Sequence, residues 1–328
     1  MILAGDIGGT NTRLACFEEE GRRLRLTVDR VYPSHEHQGL GEIVAAFVRE
    51  TAITVEKACF GIAGPVLNGR VTTPNLPWVI DSAQLSLELG IPKIWLINDL
   101  EAHASGIGDL GPSDLTTLNQ AAPAEGNAAL IAAGTGLGEA GLYWDGARHR
   151  PFPCEGGHAD FAPRNDMEIA LLQYLLKKIG RVSYERVLSG PGLKNIYDFL
   201  RDTQVEQEPV WLKQELSGSQ DTAAAISHHG LEAKAPICER ALDLFTGIYG
   251  AEAGNLALKF RALNGVFISG GIAAKILPKI NSPLFLEAFA AKGRLRPMVE
   301  AIPLSVIMNN KVGLIGAARY AVEEAISS

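Results

Sequence analysis

Short apolar runs separated by turn residues dominate the first hundred residues of the chain. Five strands are predicted where such runs are bounded by glycine, proline or charged pairs: residues 2–4, 12–17, 24–32, 58–63 and 93–97. Three helices are predicted where apolar residues recur with helical spacing: 40–51, 82–89 and about 100–105. The first three strands follow one another through tight turns, so the chain should open as an antiparallel meander.

The same pattern returns in the middle of the chain. Residues 128–133 form an apolar run, followed by a glycine turn, a second run and a tight turn at Asp145-Gly146. This weak internal repeat predicts two related α/β domains that face a shared cleft. We expect a small domain of residues 1–108 plus 309–328 and a large domain of residues 109–308.

The C-terminal half adds longer helices. The predicted elements are helices over 166–179 and 238–260, a strand at 266–268 with a helix after it, a strand at 302–308 and a helix over 312–326. Gly247, Gly250 and Gly254 share one face of the helix over 238–260, which predicts close approach of another backbone. Residues 201–235 are polar and carry no sharp motif, and His228-His229 are interpreted as surface residues.

Composition limits the classes of partner. Of the 328 residues, 47% are hydrophobic and 20% charged, which is typical of a globular protein. A net charge of −7 without a basic cluster argues against nucleic acid. Four widely spaced cysteines predict free thiols in a reducing compartment. The sequence lacks signal-peptide features and any apolar run near the ~18 residues of a membrane span, so we expect a cytoplasmic protein without a membrane partner.

Three glycine turns follow predicted strands, at residues 5–10, at 134–138 and at Gly270-Gly271. Such turns let backbone N–H groups approach phosphate oxygens, although each alone could be a plain hairpin turn. The P-loop pattern is absent. A G-x-G-x-x-G pattern does begin at Gly136, but a strand and not a helix follows it, so it is not a dinucleotide motif.

Asp6 adds a carboxylate to the first turn. It could hold Mg²⁺, directly or through water, or it could simply bond its own backbone in the turn. Thr10 and Thr135 either offer hydroxyls to phosphate oxygens or satisfy the hydrogen bonds of their own turns. Together the three turns and the acid favour a nucleotide.

The motifs resemble those of a known family. AGDIGGTNTR (4–13), AAGTGLG (132–138) and ISGGI (268–272) are similar to the first phosphate, second phosphate and adenosine segments of the sugar kinase, actin and chaperone-ATPase superfamily. Further motifs resemble the bacterial glucokinase family, in that family's order across nearly the whole chain: IAGPV (62–66), TPNLPW (73–78), INDLEA (97–102), CEGGHADFAP (154–163) and YERVLSGPGL (184–193). The resemblance implies a two-domain α/β fold, ribonuclease H-like as in actin-like ATPases, with an interdomain cleft.

The resemblance also implies roles for residues. Asp99 would be the general base that takes the proton of the sugar 6-hydroxyl. The implied glucose contacts are Asn75, Asn98, Asp99, Glu155, His158 and Glu185. The implied ATP contacts are Gly5, Asp6, Ile7, Gly8, Gly9, Thr10, Asn11, Gly134, Thr135, Gly136, Gly138, Gly270 and Gly271. Asp6 would hold Mg²⁺ through water, and the chain would form a homodimer active in glycolysis.

Several alternatives stay open from the residues alone. Asp99 could be a helix N-cap, Glu185 a solvated charge, and Asn75 a turn residue between prolines. Gly156 and Gly157 are expected to let the backbone turn so that Glu155 and His158 point the same way. A metal site of His158, Asp160 and Cys154 is disfavoured because the spacing fits no standard zinc pattern, and the cysteine-rich zinc motif of the neighbouring regulator-and-kinase family is missing.

Other functions of the same architecture compete with glucose phosphorylation. The substrate could be mannose, fructose or N-acetylglucosamine, and the donor ADP or polyphosphate, because glycine turns recognise phosphate only. A sugar-binding transcriptional regulator would need a DNA-binding domain, for which we expect no room before Gly5. A chaperone-type ATPase would need a further substrate-binding domain after the last helix.

Overall fold

The structure of the chain is a computed structural model, which describes residues 1–21 and 23–327. Within these residues thirteen strands are formed: β1 Ile2–Ile7, β2 Asn11–Glu20, β3 Arg23–Pro33, β4 Lys57–Ile62, β5 Arg70–Thr72, β6 Val79–Asp81, β7 Lys93–Asn98, β8 Leu115–Thr117, β9 Ala128–Ala133, β10 Leu137–Trp144, β11 His149–Cys154, β12 Gly265–Ser269 and β13 Leu304–Ile307.

The same part of the chain contains thirteen α-helices: α1 Leu40–Thr51, α2 Ser82–Leu89, α3 Asp99–Gly106, α4 Asp166–Ile179, α5 Gly190–Asp202, α6 Val210–Gly218, α7 Thr222–Leu231, α8 Pro236–Phe260, α9 Gly271–Lys275, α10 Leu277–Ile280, α11 Pro283–Ala290, α12 Arg296–Glu300 and α13 Val312–Ser327. Each strand and helix predicted from the sequence is confirmed, and α1, α2, α4 and β9 have the predicted bounds.

Two of the three sheets have corresponding orders over five strands, and the second has β8 as a sixth. The first sheet has the order β3-β2-β1-β4-β7, and the second has the order β11-β10-β9-β12-β13-β8. In each, an antiparallel hairpin (β1–β2 or β9–β10) is followed by a parallel strand beside its first member (β4 or β12). The predicted internal repeat is therefore confirmed in three dimensions. The third sheet is the short pair β5–β6.

The chain divides into two compact units. The first unit contains Met1–Leu115, Arg150–Pro153 and Asn309–Ser328. Alternate residues of β1 face opposite sides of its sheet: Leu3 joins a core with α1, whereas Ile2 and Ala4 join a core with α13. Helix α13 also packs closely on α3. A Cβ atom placed at Gly316 would lie 1.7 Å from the carbonyl oxygen of Ala102, so only glycine fits this crossing.

The second unit contains Thr116–His149 and Cys154–Met308. Its core surrounds α8, whose glycines behave differently from one another. Cβ atoms placed at Gly250 and Gly254 would each lie 2.3 Å from a carbonyl oxygen of α11, at Phe285 and Phe289 respectively. The prediction of close backbone approach is confirmed at these two positions. It is wrong at Gly247, where the nearest atom would lie at an ordinary 3.5 Å.

Two expectations about residues 201–235 need correction. This segment forms helices α6 and α7, which the sequence analysis did not predict. His229 is buried at 6% exposure, although it was interpreted as a surface residue. Its Nε2 atom lies 2.8 Å from Glu215 Oε1 and its ring packs edge-on against Trp211, and these contacts hold α7 to α6. His228 is exposed, as predicted.

The four cysteines are free thiols, as predicted, and three of them are buried. No helix within residues 1–21 and 23–327 has the length and apolar character that crossing a membrane requires.

Candidate functional site

The first glycine turn joins β1 to β2 and is fastened by a serine. The Gly8 N–H donates to the carbonyl of Asn11 at 3.0 Å and closes the turn. Fully buried Ser34 donates its hydroxyl to the Gly8 carbonyl at 2.7 Å, and its Oγ lies 3.0 Å from the hydroxyl of Thr12. The Ser34 N–H donates to the Thr10 carbonyl. Ser34 is distant in sequence and no motif marks it, so sequence reasoning missed it.

The other predicted residues of this turn lie along β1 and its end. Gly5 is enclosed, since a Cβ atom there would lie 2.5 Å from the Phe60 ring. Asp6 and Ile7 are the last two residues of β1, and Asp6 is opposite Arg13 of β2. Thr10 and Asn11 are exposed, and Gly9 and Asp6 are partly exposed. The turn therefore presents backbone and one carboxylate to solvent.

Asp6 fits Mg²⁺ in its donor chemistry. Nowhere in residues 1–21 and 23–327 do three His, Cys, Asp or Glu side chains converge so that they could hold a metal ion by themselves. Mg²⁺ does not need such a cage, because it keeps several waters and is commonly held by one or two carboxylates and substrate phosphates. A single partly exposed carboxylate beside a glycine turn matches that mode.

Asp99 is the first residue of α3, directly after β7. The helix N-cap is Asn98 and not Asp99: the Asn98 Oδ1 atom accepts from the Leu100 N–H at 2.9 Å. The same N–H lies 2.9 Å from Oδ1 of Asp99. Gly61 of β4 lets α3 approach the sheet closely, because a Cβ atom at position 61 would lie only 2.7 Å from the Cβ atom of Ala102 in α3.

The electrostatic surroundings make Asp99 a stronger base than a free aspartate. Burial raises the pKa of its carboxyl above 3.8, and the negative charge of Asp6 adds to this rise. His103, one turn further along α3, and the Leu100 N–H act in the opposite direction. Asp6 and Asp99 therefore influence each other electrostatically within the first unit.

Two asparagines predicted to contact the sugar, Asn75 and Asn98, also lie in the first unit. Asn75, which is exposed, contacts the first glycine turn: a Cβ atom placed at Gly9 would lie 2.8 Å from the Asn75 Cβ. Asn98 donates from Nδ2 to the Gly64 carbonyl at 3.2 Å. One of the two amide hydrogens of Asn98 is thus engaged in orienting its side chain, which leaves the second for another acceptor.

The second glycine turn joins β9 to β10 and is fastened by Glu185. The Gly134 N–H donates to the carbonyl of Gly136 at 2.8 Å. The Leu137 N–H donates to Oε2 of Glu185 at 3.1 Å, and a Cβ atom placed at Gly136 would lie 2.6 Å from this oxygen. Glu185 is therefore not a solvated charge. It connects the segment 184–193 to the turn, which also contains exposed Thr135 and partly exposed Gly138.

The third turn lies beside the second. Strands β9 and β12 are parallel neighbours, so the turns at their carboxyl ends adjoin. Gly270 has φ of 89° and a Cβ atom there would lie 2.5 Å from the Ala133 carbonyl oxygen, which explains why the position requires glycine. Gly271 begins α9.

A cavity of about 550 Å³ opens next to these two turns. Sequence reasoning missed most of its lining, because it comes from α5 and from the segment without a motif. The lining residues are Gly134, Thr135, Gly190, Pro191, Leu193, Lys194, Gln220, Asp221, Thr222, Ala223, Ala224, Ser227, Gly271, Ile272, Lys275 and Ile276. The volume lies within the usual range for small-molecule sites.

Glu155 directly precedes a short 3₁₀ turn, Gly156–His158, whose last residue is His158 and which packs on β10. Both side chains are exposed. The glycines are needed for a different reason from the one expected: neither has a positive φ. Instead, a Cβ atom at Gly156 would lie 1.8 Å from Oε2 of Glu139, and one at Gly157 would lie 2.0 Å from the Leu137 carbonyl oxygen. The turn lies directly against the strand.

The residues of the disfavoured zinc site have other contacts. The Asp160 carboxylate pairs with Arg181 at 2.8 Å, and Arg181 also donates to the His158 carbonyl at 2.7 Å. Burial raises the pKa of the Cys154 thiol above 9.0, which opposes formation of the thiolate that binds zinc.

Comparisons with known proteins agree with this geometry. A family model described as glucokinase matches residues 3–324. The chain is 45% identical to the glucokinase of Nostoc punctiforme over 333 residues, covering 97% of this chain and 98% of the relative, and 43% identical to that of Synechocystis sp. over 348 residues, with 98% of each covered. The crystal structure of a glucokinase from an Antarctic psychrotroph superposes with a TM-score of 0.87 at 28% identity, covering 98% of both chains. The predicted actin-like ATPase fold is confirmed, and the chain belongs to the glucokinase family.

Proposed function

We propose that this protein is a glucokinase that transfers the γ-phosphoryl group of ATP to the 6-hydroxyl of D-glucose. One observation carries the proposal beyond family membership. The partly buried carboxylate of Asp99, whose pKa burial raises, stands at the start of a helix in the same unit as the Asp6 glycine turn. A kinase of this kind needs a base for the acceptor and a phosphate turn.

In this proposal Asp99 acts as the general base. A sugar hydroxyl is a weak nucleophile until its proton is accepted, and a carboxylate within hydrogen-bond reach can accept it. The raised pKa of Asp99 strengthens its affinity for that proton. The Leu100 N–H and the Asn98 cap fix the start of α3, so the carboxylate is held in place.

The remaining polar residues would orient the sugar. We assign hydroxyl contacts to Asn75, Asn98, Glu155, His158 and Glu185. The exposure of Asn75, Glu155 and His158 supports this assignment, because their polar atoms are available to a ligand. Glu185 has one oxygen engaged by the Leu137 N–H, and its carboxylate can accept further hydrogen bonds.

The three glycine turns would hold the nucleotide. Backbone N–H groups of the first and second turns would contact phosphate oxygens, and the 550 Å³ cavity beside Thr135 and Gly271 would accept the nucleoside. Asp6 would hold Mg²⁺ through water; when bound, this ion neutralises charge on the phosphoryl oxygens. ATP is the donor in this proposal, and ADP or polyphosphate are outcomes that the assay below distinguishes.

The organisation of the chain is also part of the proposal. We assign a small domain to residues 1–108 plus 309–328 and a large domain to 109–308. We place the enzyme in the cytoplasm as a homodimer. The free, mostly buried thiols support a reducing compartment.

The test replaces the base by its isosteric amide. Asp99→Asn should lower kcat at least ~100-fold, because the amide cannot accept the hydroxyl proton, while ATP binding and the melting temperature are retained. Asp81→Asn is the matched control. Asp81 also stands at a helix start in the first unit, where it caps α2 through the Ala83 and Gln84 N–H groups, and asparagine caps equally well. This control should keep wild-type turnover, whereas near-wild-type turnover of Asp99→Asn would overturn the role of Asp99.

The substrate is tested by comparing kcat/KM for glucose, mannose, fructose and N-acetylglucosamine, with ATP, ADP and polyphosphate as donors. Glucose with ATP should give the highest value. Turnover confined to an amino sugar would contradict the proposed function.

A further inference from the structure

A buried acid lies beneath the turn that carries Glu155 and His158. Glu139 is on β10 and only 1% exposed. Neither of its carboxyl oxygens has a donor within reach among the described residues, and the group beside it is the carboxylate of Glu252, to which Glu139 can donate only when it is protonated. Oε2 lies so close to Gly156 that no side chain could occupy position 156. The Glu139 carboxyl group thus packs directly against the turn.

The neighbourhood of Glu139 opposes its ionisation. Fully buried Glu252 of α8 lies close by, and its own charge is already satisfied: Oε1 is 2.9 Å from Lys259 Nζ, and Oε2 accepts from Asn255 at 2.7 Å. Burial, and secondly the charge of Glu252, raise the pKa of Glu139 to about 8, with Lys259 acting in the opposite direction. The uncharged acid is therefore the main form at pH 7.

We propose that Glu139 is a positioning residue for sugar binding, which supports the Glu155–His158 turn in its uncharged form and withdraws that support when it ionises. An unpaired buried carboxylate beside a second one is costly, and the cost is relieved only if water reaches it. The turn at Gly156 covers Oε2, so hydration requires the turn to move. Movement of the turn displaces Glu155 and His158, which the proposed function assigns to contacts with sugar hydroxyls. This inference therefore rests on the proposed function.

With one exception, the other titratable groups around Glu139 do not explain a change in sugar binding between pH 7 and 9. Glu252 and Lys259 of α8 act on Glu139, and Tyr249 of α8 and Cys154 of β11 are affected by its charge. Tyr184 and Lys292 are affected by the charge of Glu252, and the turn itself carries Glu155 and His158. Burial raises the pKa of Cys154 above 9.0, and that of both tyrosines well above 10. The pKa of Lys259 lies above 10.5. Lys292 is the exception, since burial lowers its pKa to about 8.

The experiment measures the KM for glucose and kcat from pH 6.5 to 9.5, with glucose 6-phosphate quantified after quenching. If only the uncharged form of Glu139 binds sugar, KM at pH 9 should be about tenfold above its low-pH plateau, because binding is linked to one proton with a pKa of about 8. Glucose binding followed by calorimetry at pH 8.5 in two buffers should show proton uptake. Turnover at saturating glucose should not follow this titration.

Glu139→Gln is the decisive variant, because it keeps the shape and cannot ionise. Its KM should stay flat from pH 7 to 9.5, and its proton uptake should vanish. Lys292→Met is the matched control: it removes the other group that titrates near pH 8 and should keep the wild-type rise in KM. A flat wild-type profile, or an unchanged rise in Glu139→Gln, would overturn the inference.

A second variant covers the case in which Glu139→Gln does not fold. Lys259 is about half exposed, and its charge lowers the pKa of Glu139. Lys259→Met should therefore move the rise in KM to higher pH, and an unmoved rise would count against the inference. The two proposals can fail separately. Absence of glucose turnover at every pH contradicts the proposed function and the inference with it, whereas turnover with a KM independent of pH contradicts the inference alone.

Discussion

Two glycines of α8 offer a matched pair for testing how closely the helices of the second unit pack. Gly247 and Gly250 are both buried and lie well inside the same helix. A Cβ atom at position 250 would lie 2.3 Å from the Phe285 carbonyl oxygen of α11, which is far inside contact distance. One at position 247 would meet only Arg164 Nη2 at 3.5 Å and Leu284 Cδ1 at 3.8 Å. The two alanine substitutions therefore add the same Cβ atom, which has room at position 247 and no room at position 250.

The magnitudes follow from two opposing effects. Alanine stabilises a helix interior by about 1 kcal/mol relative to glycine, and both variants share this gain. At position 250 the helices must separate by roughly 1 Å to restore an ordinary contact, and overpacking of this kind costs about 1–3 kcal/mol or more. Gly247→Ala should therefore be neutral or stabilising. Gly250→Ala should be less stable than Gly247→Ala by about 1–3 kcal/mol, which for a chain of 328 residues corresponds to at least about 1.5 °C in melting temperature.

The assay is thermal unfolding followed by circular dichroism at constant pH and protein concentration. A second readout is the KM for ATP. Tyr249, adjacent to Gly250, accepts a hydrogen bond from the Ala133 N–H beside the second glycine turn, so a displaced α8 should raise this KM in Gly250→Ala only. Equal melting temperatures for the two variants, or a lower one for Gly247→Ala, would refute the steric argument.

Two further predictions concern the first unit. Ser34→Ala leaves the Gly8 carbonyl and the buried Thr12 hydroxyl without this partner, so the free energy of unfolding should fall by about 1–3 kcal/mol and the KM for ATP should rise more than the KM for glucose. The control Ser217→Ala removes an exposed hydroxyl and should change neither quantity. An unchanged KM for ATP in Ser34→Ala would contradict the role of this serine. Gly316→Ala should force α13 away from α3 and lower kcat along with the melting temperature, because α3 begins at Asp99; loss of stability with unchanged kcat would show that the crossing does not set the position of the base.

Local signals explain why so much of the fold was predictable. Helix α4 has Asn165 as its N-cap and Gly180 directly after its end, and α2 is bounded by Asp81 and Gly90 in the same way. Helices α6 and α7 were missed because they are short and their apolar residues do not gather on one face. One local signal was available for α7: Asp221 caps it by accepting from the Ala224 N–H.

The parts of the site that escaped prediction depend on contacts between distant residues. Glu185 accepts from a backbone group 48 positions earlier, and Ser34 donates to one 26 positions earlier. No local pattern encodes such a pair, because either partner alone is an ordinary polar residue. The burial of His229 has the same origin, since Trp211 and Glu215 enclose it only after α6 and α7 have packed.

Glycine is the residue for which sequence and structure differ most usefully. From sequence, a glycine pair suggests backbone freedom, and at Gly270 a positive φ bears this out. At Gly156 and Gly157 φ is not positive, so other residues could also adopt this backbone conformation. Glycine is required there because the Glu139 carboxyl group and the Leu137 carbonyl leave no room for a Cβ atom. The position of such a turn therefore depends on the side chain packed against it. At Gly156 that group is a carboxyl that can change its charge, and therefore the position of Glu155 and His158 becomes sensitive to the state of one buried proton.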